Sequence, residues 1–391
     1  MNLKIDKISI KYLLLFMGLF TPDYIIHICN ISRLFDIVKL CVFLYCLADM
    51  IYSREKVNRY ILWIGVFEAY IFLITVFNSA DIFTIIKQAV IIFSTVYLVC
   101  RLGKRDYWLL IRTLSFMMNT YMLINTITLF LYPDAMYLTN RNLPECWFLG
   151  LDNTAVVYYV IGNILSIVYN HKYGKKIWPA ISVLQTIIFV FRNDIVTGKV
   201  CLAAMLLLLV LSYVFKKLFA KIDILKFSIV DIILMFMVIF MNSSAFFSDF
   251  AMKYLGRSGT FSNRTTIWNR ALQLIKQKPI FGYGTYDGDS MSQIIGLDGI
   301  TSAHNYYFMI LFWGGIVALV LFVMILVVAN KGYEKSFTNT VLAIGVFVLM
   351  FRAIVETGGY ELIFIMISVY YAQCFARNNS DITGDKLINE N

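Results

Sequence analysis

The feature that most constrains this chain is a succession of uninterrupted apolar runs, each about as long as a bilayer is thick. Roughly 20 helical residues cross the ~30 Å hydrocarbon layer. Such runs lie near 12–29, 34–52, 60–77, 82–100, 107–132, 153–170, 177–191, 195–215, 224–245, 303–329, 338–352 and 358–375. Their continuity argues against a β-barrel, whose strands alternate apolar and polar residues over segments of about ten. Composition agrees: the 391 residues are 60% hydrophobic and 15% charged, where soluble domains run about 45–50% and about 25%. The expectation is an all-α polytopic membrane protein, one integral domain over 1–391 with about 12 transmembrane helices. Connections are short except at 133–152 and at 246–302, the latter a long outer loop containing a short amphipathic helix; residues 376–391 form a tail. Lys4, Lys7 and Lys11 before the first run mimic a secretory signal, but no small-residue cleavage site follows, so that run reads as a retained helix.

The formal net charge of +10 would raise the question of nucleic acid in a soluble protein. Sorting cations by side of the membrane answers it differently. One side holds Lys4, Lys7 and Lys11, Arg54, Lys56 and Arg59, Arg101, Lys104 and Arg105, and Lys172, Lys175 and Lys176. It also holds Lys216, Lys217, Lys221 and Lys226, Lys331 and Lys335, and Arg377 and Lys386. That is 20 of 34 basic residues, which makes this side cytoplasmic, places both termini inside and leaves no call for a nucleic-acid partner. The other side has single cations (Arg33, Arg141, Arg192) except in the long loop. There Lys253, Arg257, Arg264, Arg270, Lys276 and Lys278 occur with no Asp or Glu between 253 and 278. Positive charge outside opposes the orientation rule, so a function must favour it.

Cys29, Cys41, Cys46, Cys100, Cys201 and Cys374 fall in or at the ends of runs and only Cys146 in an outer loop, which suits packing and not a disulfide framework. His27, His171 and His304 are scattered, and no His or Cys spacing suits zinc, so no metal or other cofactor is expected. Asp287-Gly288-Asp289 is the one paired-acid spacing of the outer loop and reads as a solvated turn. Lys39, Lys87, Arg112 and Arg352 fall within spans, with Glu68 and Glu356 as partners to hand; pairing inside the bundle is expected, with Arg352 and Glu356 forming a helix-end ion pair.

Within the long loop, 264–278 has a helical apolar spacing (Ile267, Trp268, Ala271, Leu272, Ile275), with Ser262 or Asn263 to cap it and Pro279 near its end. Arg264, Trp268, Ala271 and Ile275 fall within about 60° of arc, so Arg264 shares the buried stripe. A guanidinium there calls for an anion, either a phosphate gripped bidentately or a distant carboxylate. Pro279-Ile280-Phe281-Gly282-Tyr283-Gly284 then supplies a turn able to bring backbone close to a ligand. Ser302 can cap the next span, with His304 in its first turn, where it suits either a general base or an aromatic belt with Tyr306 and Tyr307.

These residues resemble the signature of the O-antigen ligase and Wzy-type polysaccharide polymerase superfamily. The resemblance rests on Arg264-Thr265-Thr266-Ile267-Trp268, on Pro279-Ile280-Phe281-Gly282-Tyr283-Gly284, on His304-Asn305, and on Trp313-Gly314-Gly315-Ile316, and covers about 195–320. It implies a C-type glycosyltransferase-like membrane fold and metal-independent, inverting transfer of a glycan from a polyprenyl-pyrophosphate lipid. His304 and Arg264 are then the catalytic candidates, His304 deprotonating the acceptor hydroxyl and Arg264 holding the departing pyrophosphate. The family's second pyrophosphate cation is an Arg; here Val196-Thr197-Gly198-Lys199 puts Lys199 in its place, and Arg192 is the alternative. Arg257, Arg270, Asn305, Gly282 and Gly284 complete the substrate-binding candidates.

The resulting expectation is a polymerase of O-antigen or capsular/exopolysaccharide in a bacterial inner membrane, its active site on the outer face. It would move the growing glycan onto the non-reducing end of a second lipid-linked repeat unit. The partners expected are the lipid-linked oligosaccharide donor and acceptor, membrane lipid, a flippase and a chain-length regulator. A ligase that transfers to lipid A core or another acceptor is the alternative within this class, and a lipid-linked oligosaccharide flippase the alternative from another. The absence of an internal repeat and the single asymmetric polar loop weigh against a flippase.

Overall fold

The computed structural model describes residues 7–28, 31–53, 58–138, 145–242 and 264–382. Lys4, Cys29, Arg54, Lys56, Arg141, Lys253, Arg257, Lys386 and the expected caps Ser262 and Asn263 lie outside the described residues. The described chain is almost entirely helical. In order come α1 (Lys7–Leu19), α2 (Asp23–Ile28), α3 (Ser32–Tyr52), α4 (Arg59–Phe77), α5 (Ile82–Arg105) and α6 (Tyr107–Leu131). They are followed by α7 (Asp152–Tyr173), α8 (Ile177–Arg192), α9 (Val196–Val214), α10 (Lys216–Phe219), α11 (Ile224–Asn242), α12 (Arg264–Gln277) and α13 (Gly288–Ile295). Last are α14 (Tyr306–Ala329), α15 (Phe337–Ala353) and α16 (Ile363–Ile382). Side-chain caps set several starts: Asn58 accepts from Tyr60 N at 3.0 Å, Asp81 from Phe83 N at 2.9 Å, and Asp106 from Leu109 N at 2.9 Å.

Helices α4, α5, α6, α9 and α14 are long and apolar enough to cross a membrane, and α8 and α15 are apolar but only 16 and 17 residues long. The chain is thus an all-α polytopic membrane protein. The apolar runs do not all become single helices. The first splits into α1 and α2, since Pro22 offers no backbone N–H to continue the ladder. The loop 133–152 contains a small antiparallel sheet of β1 (Tyr137–Leu138), β2 (Glu145–Trp147) and β3 (Gly150–Leu151), too short to show as alternation in the sequence.

At the centre stands α15, buried from Thr338 to Met350 and again at Arg352 and Ala353, and packed on α7, α9, α11 and α16. Around it α16 lies along α5, α6 along α7, and α14 along α4. Polar pairs lock helices together inside the apolar packing: Asn163 Nδ2 donates to Thr186 Oγ1 at 2.7 Å, and Asn119 Nδ2 to Ser166 Oγ at 2.8 Å. The expected pairing of intramembrane charge with Glu68 does not form: Lys87 takes Asp36 at 2.8 Å, and Glu68 is buried with neither carboxyl oxygen hydrogen-bonded among the described residues.

Helix α14 is broken at Gly314 (φ −143°) and Gly315 (φ 62°, ψ −158°). A break leaves backbone groups that lipid cannot satisfy, so protein must. The Pro279–Gly284 turn does this: Tyr283 N donates to Phe312 O at 2.7 Å, Gly284 N to Trp313 O at 2.9 Å, and Ile316 N to Pro279 O at 2.8 Å. Tyr70 of α4 closes the last position, its hydroxyl donating to Gly314 O at 2.8 Å. A Cβ on Gly315 would stand 2.2 Å from Ile280 O, one on Gly282 2.5 Å from Phe312 O, and one on Gly284 2.6 Å from Thr75 Cα. All three have positive φ, so the glycines are required twice over.

Candidate active site

One corner of the bundle gathers the ends of five elements: the starts of α7, α12 and α14, the end of α15, and the loop that follows α15. Helix α12 buries Ile267, Trp268, Ala271 and Ile275, the stripe read from the sequence. Its first residue, Arg264, keeps only 15% of its side chain exposed. A buried cation at the positive end of a helix needs an anion. The structure supplies Glu356, 92 residues away and 8% exposed, whose Oε1 accepts from Arg264 Nη2.

Glu356 also faces His304. Its Oε2 lies 3.7 Å from His304 Nδ1, which is buried and has no hydrogen-bond partner among the described residues. The imidazole side chain is 33% exposed, and Nδ1 is its buried nitrogen. Burial alone would raise the Glu356 carboxyl; His304, Arg264 and Arg352 together hold it below the usual carboxylate range.

The loop carrying Glu356 is held from beneath. Arg352, 1% exposed, donates to Gly358 O at 2.9 Å and to Asn153 O at the start of α7. This corrects the expected helix-end pair: Arg352 uses its guanidinium on backbone carbonyls, and the carboxylate of Glu356 goes to Arg264. Thr357 Oγ1 donates to Ser302 Oγ at 2.8 Å, and Ser302 Oγ accepts from His304 N at 3.2 Å, so the two loops are tied together.

His304 is not in the first turn of α14. Asn305 is the cap, its Oδ1 accepting from Phe308 N at 3.0 Å, and Ser302 supports the preceding turn. His304 therefore precedes the helix with φ +46°, a left-handed conformation that a non-glycine residue adopts at a cost. Asn305 is fully buried, and its Nδ2 has no hydrogen-bond partner among the described residues.

The other candidates are placed differently. Lys199 in the first turn of α9 pairs with Asp194 five residues earlier and lies 5.1 Å over the Phe191 ring, with 31% of its side chain exposed. Arg192, at the end of α8, is exposed. Arg270 is exposed on α12, its Nη1 donating weakly to Gln273 Oε1 at 3.4 Å. Gly282 approaches the backbone of the α14 break, and Gly284 that of Thr75 in α4. Asp287 caps α13, its Oδ1 accepting from Ser290 N at 2.8 Å. The residue that sequence reasoning missed as part of the site is Glu356. Its signal was a carboxylate at the outer end of a span, which also fits a local pair with Arg352.

Comparison with known proteins gives one family match. Residues 181–323 match the model of the O-antigen ligase family. No curated protein matches the chain, and no solved structure does. The matched segment contains Arg192, Lys199, Arg264, the glycine turn, His304 and the α14 break; Arg352 and Glu356 lie beyond it.

Proposed function

From an O-antigen ligase family domain over residues 181–323, which supports glycan transfer of the ligase or polymerase type in general, we propose a polysaccharide polymerase working on polyprenyl-pyrophosphate-linked oligosaccharides. The observation that carries this reading is the convergence of His304 and the mostly buried Arg264 on one carboxylate at one end of the bundle. A part-exposed imidazole able to act as a base stands beside a guanidinium suited to a pyrophosphate.

In the reaction His304 Nε2 takes the proton of the acceptor hydroxyl. The acceptor oxygen bonds to the anomeric carbon from the face opposite the leaving group, and the bond from that carbon to the pyrophosphate oxygen breaks with inversion. The polyprenyl pyrophosphate departs with the electron pair, its developing charge held by Arg264. The chain crosses the bacterial inner membrane twelve times with both termini inside, as the charge distribution favours, and the reaction takes place on the outer face.

The test uses purified protein in proteoliposomes with defined lipid-linked repeat units. Longer lipid-linked glycans formed by this protein alone support the polymerase. Transfer only to lipid A core replaces it with the ligase, and translocation without transfer overturns the enzyme.

A further inference from the structure

We propose that Glu356 is a positioning residue whose carboxylate is passed from Arg264 to His304 when a pyrophosphate reaches the guanidinium, so that the base is oriented only when donor is bound. This rests on the reading of His304 as base and Arg264 as pyrophosphate ligand.

Three observations carry it. First, one carboxylate serves two cation-capable groups unequally. Oε1 is engaged by Arg264, whereas Oε2 stands 3.7 Å from His304 Nδ1, beyond a hydrogen bond. At rest Arg264 is satisfied and the buried Nδ1 is not. Second, the backbones bearing the two groups are already fixed to each other by the contacts from Thr357 to Ser302 and from His304 N to Ser302, with Arg352 anchoring the loop to α7. Closing the gap takes a carboxylate shift of under about 1 Å and no loop rearrangement. Third, Glu356 holds Nη2 of the Arg264 fork, so an incoming phosphate competes with the carboxylate for that edge, and it offers more charge and better matched oxygens.

Displaced, the carboxylate's nearest donor is Nδ1–H. That bond fixes the tautomer with its lone pair on Nε2 and stabilises the imidazolium formed when Nε2 takes the acceptor proton. The charged and titratable groups around Glu356 are Arg264 of α12, His304 before α14, Arg352 of α15, Asp152 of α7 and Cys201 of α9. The arrangement leaves the base poorly oriented in the empty enzyme.

The test is steady-state extension kinetics of Glu356→Gln and Glu356→Asp in proteoliposomes, with thermal unfolding to verify folding. Glu356→Gln leaves Arg264 unopposed, so the donor KM should fall several-fold while kcat falls on the order of 100-fold. Glu356→Asp keeps the charge on a shorter arm and should restore part of kcat, remaining on the order of tenfold below wild type. If Glu356→Gln does not fold, the Asp variant decides alone: a lowered kcat without a raised donor KM supports the proposal. A wild-type kcat in a folded variant, or a loss confined to a raised donor KM, overturns it. Failure of the underlying reading looks different, since His304→Ala would then extend glycan normally.

Discussion

The matched segment contains two neighbouring regions that solve opposite problems. Around His304 and Arg264 the chain gathers charge, leaves a buried imidazole nitrogen unpartnered and holds a histidine in a left-handed conformation. Around Gly282, Gly284, Gly314 and Gly315 it satisfies the backbone of a broken helix with few side chains involved. The first region tolerates local strain that a stability argument alone would remove; the second removes it wherever membrane burial would make it costly. In a single sequence both look like motif residues. The structure separates a chemical role from an architectural one, and substitutions should separate them again.

The largest effect is expected at His304. His304→Ala should abolish glycan extension while the protein remains inserted and folded, as measured by product ladders alongside thermal unfolding in detergent. Next, Gly315→Ala should do the reverse. Its new Cβ meets Ile280 O at 2.2 Å with φ at +62°, so folded yield and Tm should fall, with a cost of about 2 kcal/mol or more from strain and overpacking. A Gly315→Ala protein with wild-type Tm would break the architectural half of the comparison. Arg264→Lys keeps the charge but loses the fork, and kcat/KM for donor should drop on the order of 100-fold with little change in Tm.

A smaller effect concerns pH. The Glu356 carboxyl is held below its ordinary value in the folded protein. Its stabilising contribution is therefore complete above about 4.3, the unfolded value, and is lost as pH falls through the lower folded value. Thermal unfolding of Glu356→Gln should show a weaker acid limb than wild type. Smallest should be Lys199→Gln. Lys199 is paired locally with Asp194 and part-exposed, where such pairs contribute about 1 kcal/mol or less, so extension should change by less than about fivefold. A loss as large as that of Arg264→Lys would make Lys199 a pyrophosphate ligand after all.

Much of this was legible in the sequence because it is carried by local periodicity. The helix from Arg264 and its buried face of Trp268, Ala271 and Ile275 follow from spacing alone. The partner of Arg264 does not, because a carboxylate 92 residues away leaves no periodic trace. Arg352 and Glu356, four residues apart, suggested each other, and only tertiary structure shows Arg352 spent on the carbonyls of Gly358 and Asn153. The Pro279–Gly284 turn was readable as a turn, but its fit into the Gly314–Gly315 break depends on two segments meeting. The first apolar run, expected as one helix, breaks at Pro22, and the strands around Cys146 were too short to register.

The central claim is that a carboxylate-flanked histidine and a buried arginine carry out glycan transfer on a lipid pyrophosphate. The most direct measurement is extension of defined lipid-linked repeat units by purified wild-type and His304→Ala protein in proteoliposomes containing EDTA. A ladder of longer lipid-linked glycans is expected from wild type, undiminished by the chelator, and none from His304→Ala. Equal ladders from both proteins, or translocated but unextended repeat units from wild type, would contradict it.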